Sequence, residues 1–290
     1  MRAVRFASNP IIRPHMDATM GDNINGPSLI RVPDWVQNPL GRYYLYFAHH
    51  DGHYIRLAYA DRLEGPWRTL ETGALSLQQS GFAGHIASPD VHVDERERRI
   101  RMYFHGSEVA SGVPGADQHT RVALSADGLR FSASPERLGR PYFRTFARDD
   151  YTYALAMPGV LYRSRDGLTA FEPGPRLFGP NMRHSALKLD GNMLSVFYTN
   201  AGDNPESILL TSIELTANWQ DWKEGPTVTF LQPEELYEGA DQPRAPSVRG
   251  LVHGPVCQLR DPAVFREDGR IYLLYAVAGE NGIAIAELRQ

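Results

Sequence analysis

The sequence predicts an all-β fold, a single five-bladed β-propeller domain spanning residues 1–290, and three observations carry that expectation. Short runs rich in Tyr, Phe, Val and Ile are punctuated by turn formers, 26 Gly and 21 Pro in all, which is the pattern of many short strands. Long amphipathic helical windows are absent. One unit recurs along the whole chain: an apolar strand, a turn, an aromatic strand, a polar turn and a third strand. A repeated supersecondary unit that cannot bury its own faces points to a ring or an array.

The copies follow in order. The first uses residues 27–32, 43–48 and 54–60 and closes at Gly65, Pro66 and Trp67. The second uses 89–93, 100–105 and 121–125 and closes at Asp127-Gly128-Leu129; the third uses 142–146, 151–155 and 160–164 and closes at Asp166-Gly167-Leu168. Both closing turns read Ser-x-Asp-Gly-Leu, starting at Ser125 and Ser164. Asp-Gly suits a tight turn because Gly accepts positive φ while the Asp side chain bonds nearby amides. The fourth copy runs through 185–189, 193–198 and 208–213 to Trp219 and Trp222; the fifth is 261–265, 271–276 and 283–288. That last copy stops two residues before the end, so its outer strand is expected from residues 2–6, closing the ring. The competing architecture is a β-sandwich with a smaller sheet domain.

Composition narrows the function classes. The formal net charge is −4 and no basic block or arm stands out, so nucleic acid is not an expected partner. No stretch approaches the ~18 apolar residues of a spanning helix, and residues 1–10 have no secretory leader pattern; the expectation is a cytoplasmic protein with no membrane partner. A lone cysteine, Cys257, excludes an internal disulfide and a thiolate metal cluster. No cofactor is expected.

Pro27-Ser-Leu-Ile-Arg-Val followed by Tyr-Tyr-Leu-Tyr, Ser88-Pro-Asp-Val before an aromatic strand, and Arg260-Asp-Pro-Ala-Val-Phe before Asp268-Gly-Arg-Ile-Tyr-Leu-Leu-Tyr together resemble the five-bladed propeller enzymes of glycoside hydrolase family 43 and their relatives in families 32, 68, 117 and 130. The resemblance implies a funnel on the propeller axis, faced by the start of each innermost strand. It also implies three carboxylates there: a base or nucleophile, a modulator and a general acid. Glycosidic cleavage needs one carboxyl to protonate the leaving oxygen and a second to activate water or attack carbon. Carried over by position, Asp90 falls on the modulator. The first-blade acid is replaced by Gly26, preceded by Asn25, with Asp17 and Asp22 out of register; the fourth-blade acid is missing near Met182, Arg183 and His184.

The residues expected at the funnel form two groups. Strand starts supply Asn25, Asp90, Arg144, His184, Arg260 and Asp261. Turns between second and third strands supply His49, His50, Asp51, His53, His105, Glu108, Asn200, Asp203, Glu280 and Asn281. Asp90, Asp261, His184 and Glu280 are the catalytic candidates, the first two to tune or activate and either His184 or Glu280 to donate the proton. The bland reading makes each Asp a turn cap and Glu280 a solvated hairpin residue. Asn25, His49, His50, His105, Arg144, Arg183 and Arg260 are the candidate substrate-binding residues. The arginines suit an anionic sugar, unless neighbouring acids already pair with them. The cluster from His49 to His53 has metal-ligand chemistry, but adjacent strand residues point to opposite faces, so no metal is expected. Trp67, Trp219 and Trp222 sit at blade ends and are expected to pack. Residues 232–256, rich in Pro, Glu and Gly, are expected to form a loop that closes the funnel and favours chain ends of a small oligosaccharide. The alternatives are a carbohydrate-binding propeller without hydrolysis, and a sugar lyase using His and Tyr.

Overall fold

A computed structural model describes residues 1–50, 52–109 and 118–290. Among them, twenty strands form five four-stranded antiparallel sheets. The chain opens with β1 (Arg2–Arg5). Blade 1 is β2 (Asn25–Arg31), β3 (Tyr43–Ala48), β4 (Tyr54–Ala60) and β5 (Arg68–Ser76); a single helical turn, α1 (Leu77–Ser80), leads on. Blade 2 is β6 (Ile86–Asp94), β7 (Arg99–Ser107), β8 (Gln118–Ser125) and β9 (Ser132–Ala133). Blade 3 is β10 (Arg144–Arg148), β11 (Tyr151–Ala156), β12 (Val160–Ser164) and β13 (Glu172–Arg176). Blade 4 is β14 (Met182–Asp190), β15 (Met193–Asn200), β16 (Ile208–Glu214) and β17 (Val228–Leu231). Blade 5 is β18 (Arg260–Glu267), β19 (Arg270–Ala276) and β20 (Ile283–Arg289), and β1 adds its outer strand, pairing Arg2 with Arg289 and Arg5 with Ala286. The five-bladed propeller and its closure by the N-terminal strand are as the repeat predicts.

Each sheet is apolar on both faces because it packs on two neighbours. Alternate residues of a strand therefore belong to different cores. In β3, Tyr43, Leu45 and Phe47 pack with Phe265, Leu274 and Ile285 of blade 5. Tyr44 and Tyr46 point the other way, to Ile86, Met102 and Phe104 of blade 2. Trp219 and Trp222 are buried with Tyr153 between blades 3 and 4, a packing role.

The repeated Asp-Gly turns are built alike and tied to the preceding blade. Gly128 N donates to Ser125 Oγ (2.8 Å) and Leu129 N to Asp127 Oδ1 (2.8 Å). Gly167 N donates to Ser164 Oγ (3.1 Å) and Leu168 N to Asp166 Oδ1 (2.7 Å). A tyrosine of the previous blade then caps each glycine carbonyl: Tyr46 Oη donates to Gly128 O (2.8 Å) and Tyr103 Oη to Gly167 O (2.6 Å). Both glycines have positive φ, 77° and 65°, which any side chain would disfavour.

Inner strands β2, β6, β10, β14 and β18 line the axis. Four of them shift register near their start, between Asn25 and Ser28, Ala87 and Asp90, Met182 and Ser185, and Arg260 and Ala263. The bulge residue is left-handed in blades 1, 2 and 5, at Gly26 (φ 60°), Ser88 (φ 50°) and Asp261 (φ 46°); Tyr142 (φ 67°), two residues before Arg144, matches them in blade 3. Bulges re-aim a strand where a sheet meets a site, and a bulky residue at positive φ is strained.

Candidate active site

At the end of the axis where the inner strands begin, three carboxylates, Glu206, Asp261 and Glu280, are buried among Arg183 and Arg260. Asp261 occupies the bulge of β18, and Arg260, just before it, starts that strand. Glu280 comes from the turn between β19 and β20, and Glu206 from the matching turn between β15 and β16. Arg260 joins all three elements. Its Nη1 donates to Glu280 Oε1 (3.0 Å), its Nη2 to Gln258 Oε1 (2.7 Å), and its Nε lies 3.5 Å from Glu206 Oε2. Arg183 Nη1 lies 3.6 Å from the same Glu206 oxygen.

The two central carboxylates are held in opposite states. Asp261 is 1% exposed and neither of its oxygens has a hydrogen-bond partner. Burial, reinforced by the charge of Glu280, raises its pKa to about 7 against the pull of Arg183, Arg144 and Arg260. Glu280 is equally buried, and burial pushes it upward. The His50 hydrogen bond and charge, Arg260 and Asn23 outweigh that push and lower it to about 2. His50 Nδ1 is 3.0 Å from Oε1, and Asn23 Nδ2 donates to Oε2 at 2.6 Å.

His184 sits against Asp261. Asp261 N and Arg183 Nε each lie 3.2 Å from a ring nitrogen, Nδ1 and Nε2 respectively, and Nε2 is 3.4 Å from Asp261 Oδ1. A neutral imidazole accepts at one nitrogen only and an imidazolium at neither, so one of the two contacts is a hydrogen bond to a neutral ring and the other is not. Burial, Arg183 and Arg260 hold its pKa well below the usual value. His105 is likewise buried and kept neutral, by burial and then by His85 and His50. The Tyr142 ring lies between the two imidazoles, 4.4 Å from His105 and 5.0 Å from His184.

Arg144 lies on the lower side of this cluster. Its guanidinium bolts three blades together, donating from Nη1 to Pro89 O (2.7 Å) and from Nε to Ser185 O (3.0 Å). From above, residues 247–250 of the long loop cross the arginines. Arg260 Nη1 donates to Gly250 O (3.1 Å), while Arg260 Nη2 and Arg183 Nη1 both reach Val248 O (3.4 Å). Backbone bonds between Ser247 and the Gly202–Asp203 turn anchor this crossing to blade 4.

The structure brings Asp261, His184, Glu280, Arg183, Arg260 and His50 together, with His105 alongside. Glu280 is not a solvated hairpin residue. The arginines already carry acidic partners. Asn25 is buried one layer out, donating from Nδ2 to Asn23 Oδ1 (3.3 Å). His49 lies just past β3, His53 is exposed, and Asp51 lies outside the described residues. Glu108 stands apart, pairing with Arg121 (2.8 Å) and His119 (3.2 Å). Among the described residues, no three His, Cys, Asp or Glu side chains gather closely enough to hold a metal ion, and no helix is long and apolar enough to cross a membrane.

Asp90 takes a different place. It follows the bulge of β6, opposite Tyr103, in the register that Ala263 holds in blade 5. Its carboxylate faces Thr145 and His92 and lies 3.9 Å from Arg144 Nη1. Gly26, where the resemblance expects an acid, has φ 60°, and a Cβ there would lie 3.1 Å from Ser88 Cα, a tight contact. The residue that sequence reasoning missed is Glu206. Its only signal was its place in a turn equivalent to that of Glu280.

No protein-family model matches the chain. It is 37% identical over 324 aligned residues to a protein of Acanthamoeba polyphaga mimivirus, "Uncharacterized protein R118", covering 98% of this chain and 90% of the other. Among solved structures it is similar to a glycoside hydrolase (TM-score 0.67, 14% identity, 99% and 91% of the two chains). It is also similar to a GH43 β-xylosidase/α-arabinofuranosidase from a compost microbial metagenome in complex with xylotriose (TM-score 0.64, 12% identity, 96% and 95%). A third is a GH43_1 enzyme from Xanthomonas citri complexed with xylose (TM-score 0.62, 11% identity, 96% and 90%). The likeness to these three is one of fold.

Proposed function

We infer the activity from the premise that this chain belongs to one family with the mimivirus protein and has the fold of the propeller glycosidases. The reading is hydrolysis of a glycosidic bond, with Asp261 as general acid and Glu280 as the ionised base or nucleophile. One observation carries it. Two neighbouring buried carboxyls on the axis have pKa values driven apart, to about 7 and about 2, and such a split assigns acid and base in a shared site. The roles are exchanged relative to the sequence expectation, because Glu280 has no proton to donate at neutral pH. Neutral His184 becomes a positioning residue for Asp261. Asp90 reaches the pair only through Arg144.

Arg183 and Arg260 are committed to Glu206 and Glu280, so the favoured substrate is a neutral sugar rather than an anionic one. It reaches the acids when residues 248–250 lift from the arginines, and a roofed chamber suits the end of a small oligosaccharide. A carbohydrate-binding propeller without hydrolysis is the second reading; it draws on Gly26, which leaves the first-blade position without an acid. A lyase using His and Tyr finds Tyr142 well placed, but burial and Asp261 hold its hydroxyl protonated.

A panel of neutral aryl glycosides tests the reading. Asp261→Asn and Glu280→Gln are each expected to lower kcat/KM by roughly a hundredfold or more, with circular dichroism unchanged. In the wild type, loss of the Asp261 proton should bring activity down as pH rises past about 7. Turnover that survives either substitution in a folded protein refutes the assignment.

A further inference from the structure

The opposite end of the axis holds a hollow of about 800 Å³, with Arg144 in its lining on the side toward Asp261. Leu29, Val91 and Leu187 give it apolar wall, and Trp35 lines it beside the charged Arg31, Asp34, Glu95 and Arg266. Its closed end is polar. Thr145 N (2.8 Å) and Thr145 Oγ1 (3.1 Å) both donate to Asp90 Oδ2, and His92 Nε2 lies 2.8 Å from that oxygen and 2.9 Å from Thr145 Oγ1. Because the Thr145 hydroxyl spends its proton on Asp90, His92 Nε2 carries a proton of its own toward both oxygens.

Two acceptors remain. Asp90 Oδ1 lies 3.9 Å from Arg144 Nη1, too far for a hydrogen bond. In the neutral imidazole, Nδ1 of the part-exposed His92 is left with a lone pair. Acceptors at the closed end call for a ligand that donates hydrogen bonds. The Arg144 charge offsets that of Asp90, and Arg31 and Arg266 offset Asp34 and Glu95, so the lining favours neither an ammonium group nor an anion. Aliphatic wall residues beside convergent polar groups, in a hollow of this size, suit a small-molecule site.

We propose that this hollow is a second binding site, for a neutral polyhydroxylated ligand of about one or two sugar rings. Hydroxyls donate to Asp90 Oδ1 and His92 Nδ1, C–H faces lie on the aliphatic wall residues, and Trp35 adds a stacking face. The site is independent of any hydrolysis at the other end.

Titrating the full-length protein with xylose, glucosamine and glucuronate, while following the His92 imidazole and Trp35 indole resonances, tests this. Xylose should shift both signals saturably, with the two charged sugars weaker. Asp90→Asn (read at His92 and Trp35) and His92→Gln (read at Trp35) should each weaken the response roughly tenfold, and Asp261→Asn should leave it unchanged. Absence of any xylose response at these residues in the wild type, equal affinity in both lower-end variants, or tighter binding of a charged sugar overturns the proposal. A lasting response in a protein that cleaves no glycoside would count against the hydrolase reading alone.

Discussion

At the upper end of the axis, inner strands β10, β14 and β18 deliver Arg144, Arg183, Arg260 and Asp261, all sealed from water. A few residues further along, inner strands deliver aliphatic side chains and the buried carboxylate of Asp90 to the lower hollow. The register of the bulge makes the difference. The bulge of β18 sets Asp261 beside Arg260, which lies under the loop of residues 247–250 and is held by charge pairing. Residues past it, such as Asp90 and Ala263, face the lower hollow. Buried charges are costly unless compensated, so the upper end carries a high electrostatic stake and the lower end a small one.

The largest expected break in that contrast is Arg260→Met. It leaves Glu206 and Glu280 buried without their shared cation and should cost about 3–5 kcal/mol, read as a lowered urea midpoint. A loss no larger than that of a lower-end variant would dissolve the distinction between the two ends.

Next comes a pH effect at Asp261. Its folded pKa lies above the ordinary 3.8, at about 7, so the folded state keeps a proton that the unfolded chain releases across that window. Stability therefore falls as pH rises from about 4 to about 7, by on the order of 3 kcal/mol. Glu280 has the opposite sign: its contribution is present above about 4.5 and lost as pH falls toward about 2. Urea unfolding at several pH values should show Asp261→Asn flattening the decline above pH 4 while keeping the loss at lower pH. A wild type whose stability is level between those limits contradicts the buried, protonated Asp261.

The smallest effect belongs to the lower end. Thr145→Val removes one hydroxyl bond from Asp90 but leaves the Thr145 amide and His92 in place, so about 1 kcal/mol is expected from the same unfolding measurement. A much larger loss would mean that the lower cluster is a structural knot as stiff as the upper one.

The propeller was legible because its signals are local. Ser125 and Ser164 open matching turns, and the Asp-Gly pairs state the backbone they need. The missing fifth outer strand also pointed directly to residues 2–6. The site was legible only in part, because strand order brings residues to an axis while register decides which end they face. Pro89-Asp90 and Asp261-Pro262 look alike in sequence, yet the bulge sets Asp90 two positions further down its strand than Asp261. Glu206 escaped notice for a related reason. Its turn carries no motif, and only the ring places it opposite Arg260, which is 77 residues away from His184's neighbour Arg183 in the chain yet shares the same carboxylate.

The pairing of β1 with β20 has a mechanical consequence. Because Arg2 lies opposite Arg289 at one edge of blade 5, a force drawing those two residues apart loads the ladder one pair at a time, like a zip, rather than shearing all its bonds together. The ring should therefore yield first at this seam under tension. Joining the two ends with a short linker, and cutting the chain at an exposed turn elsewhere, would move the weak point to another blade.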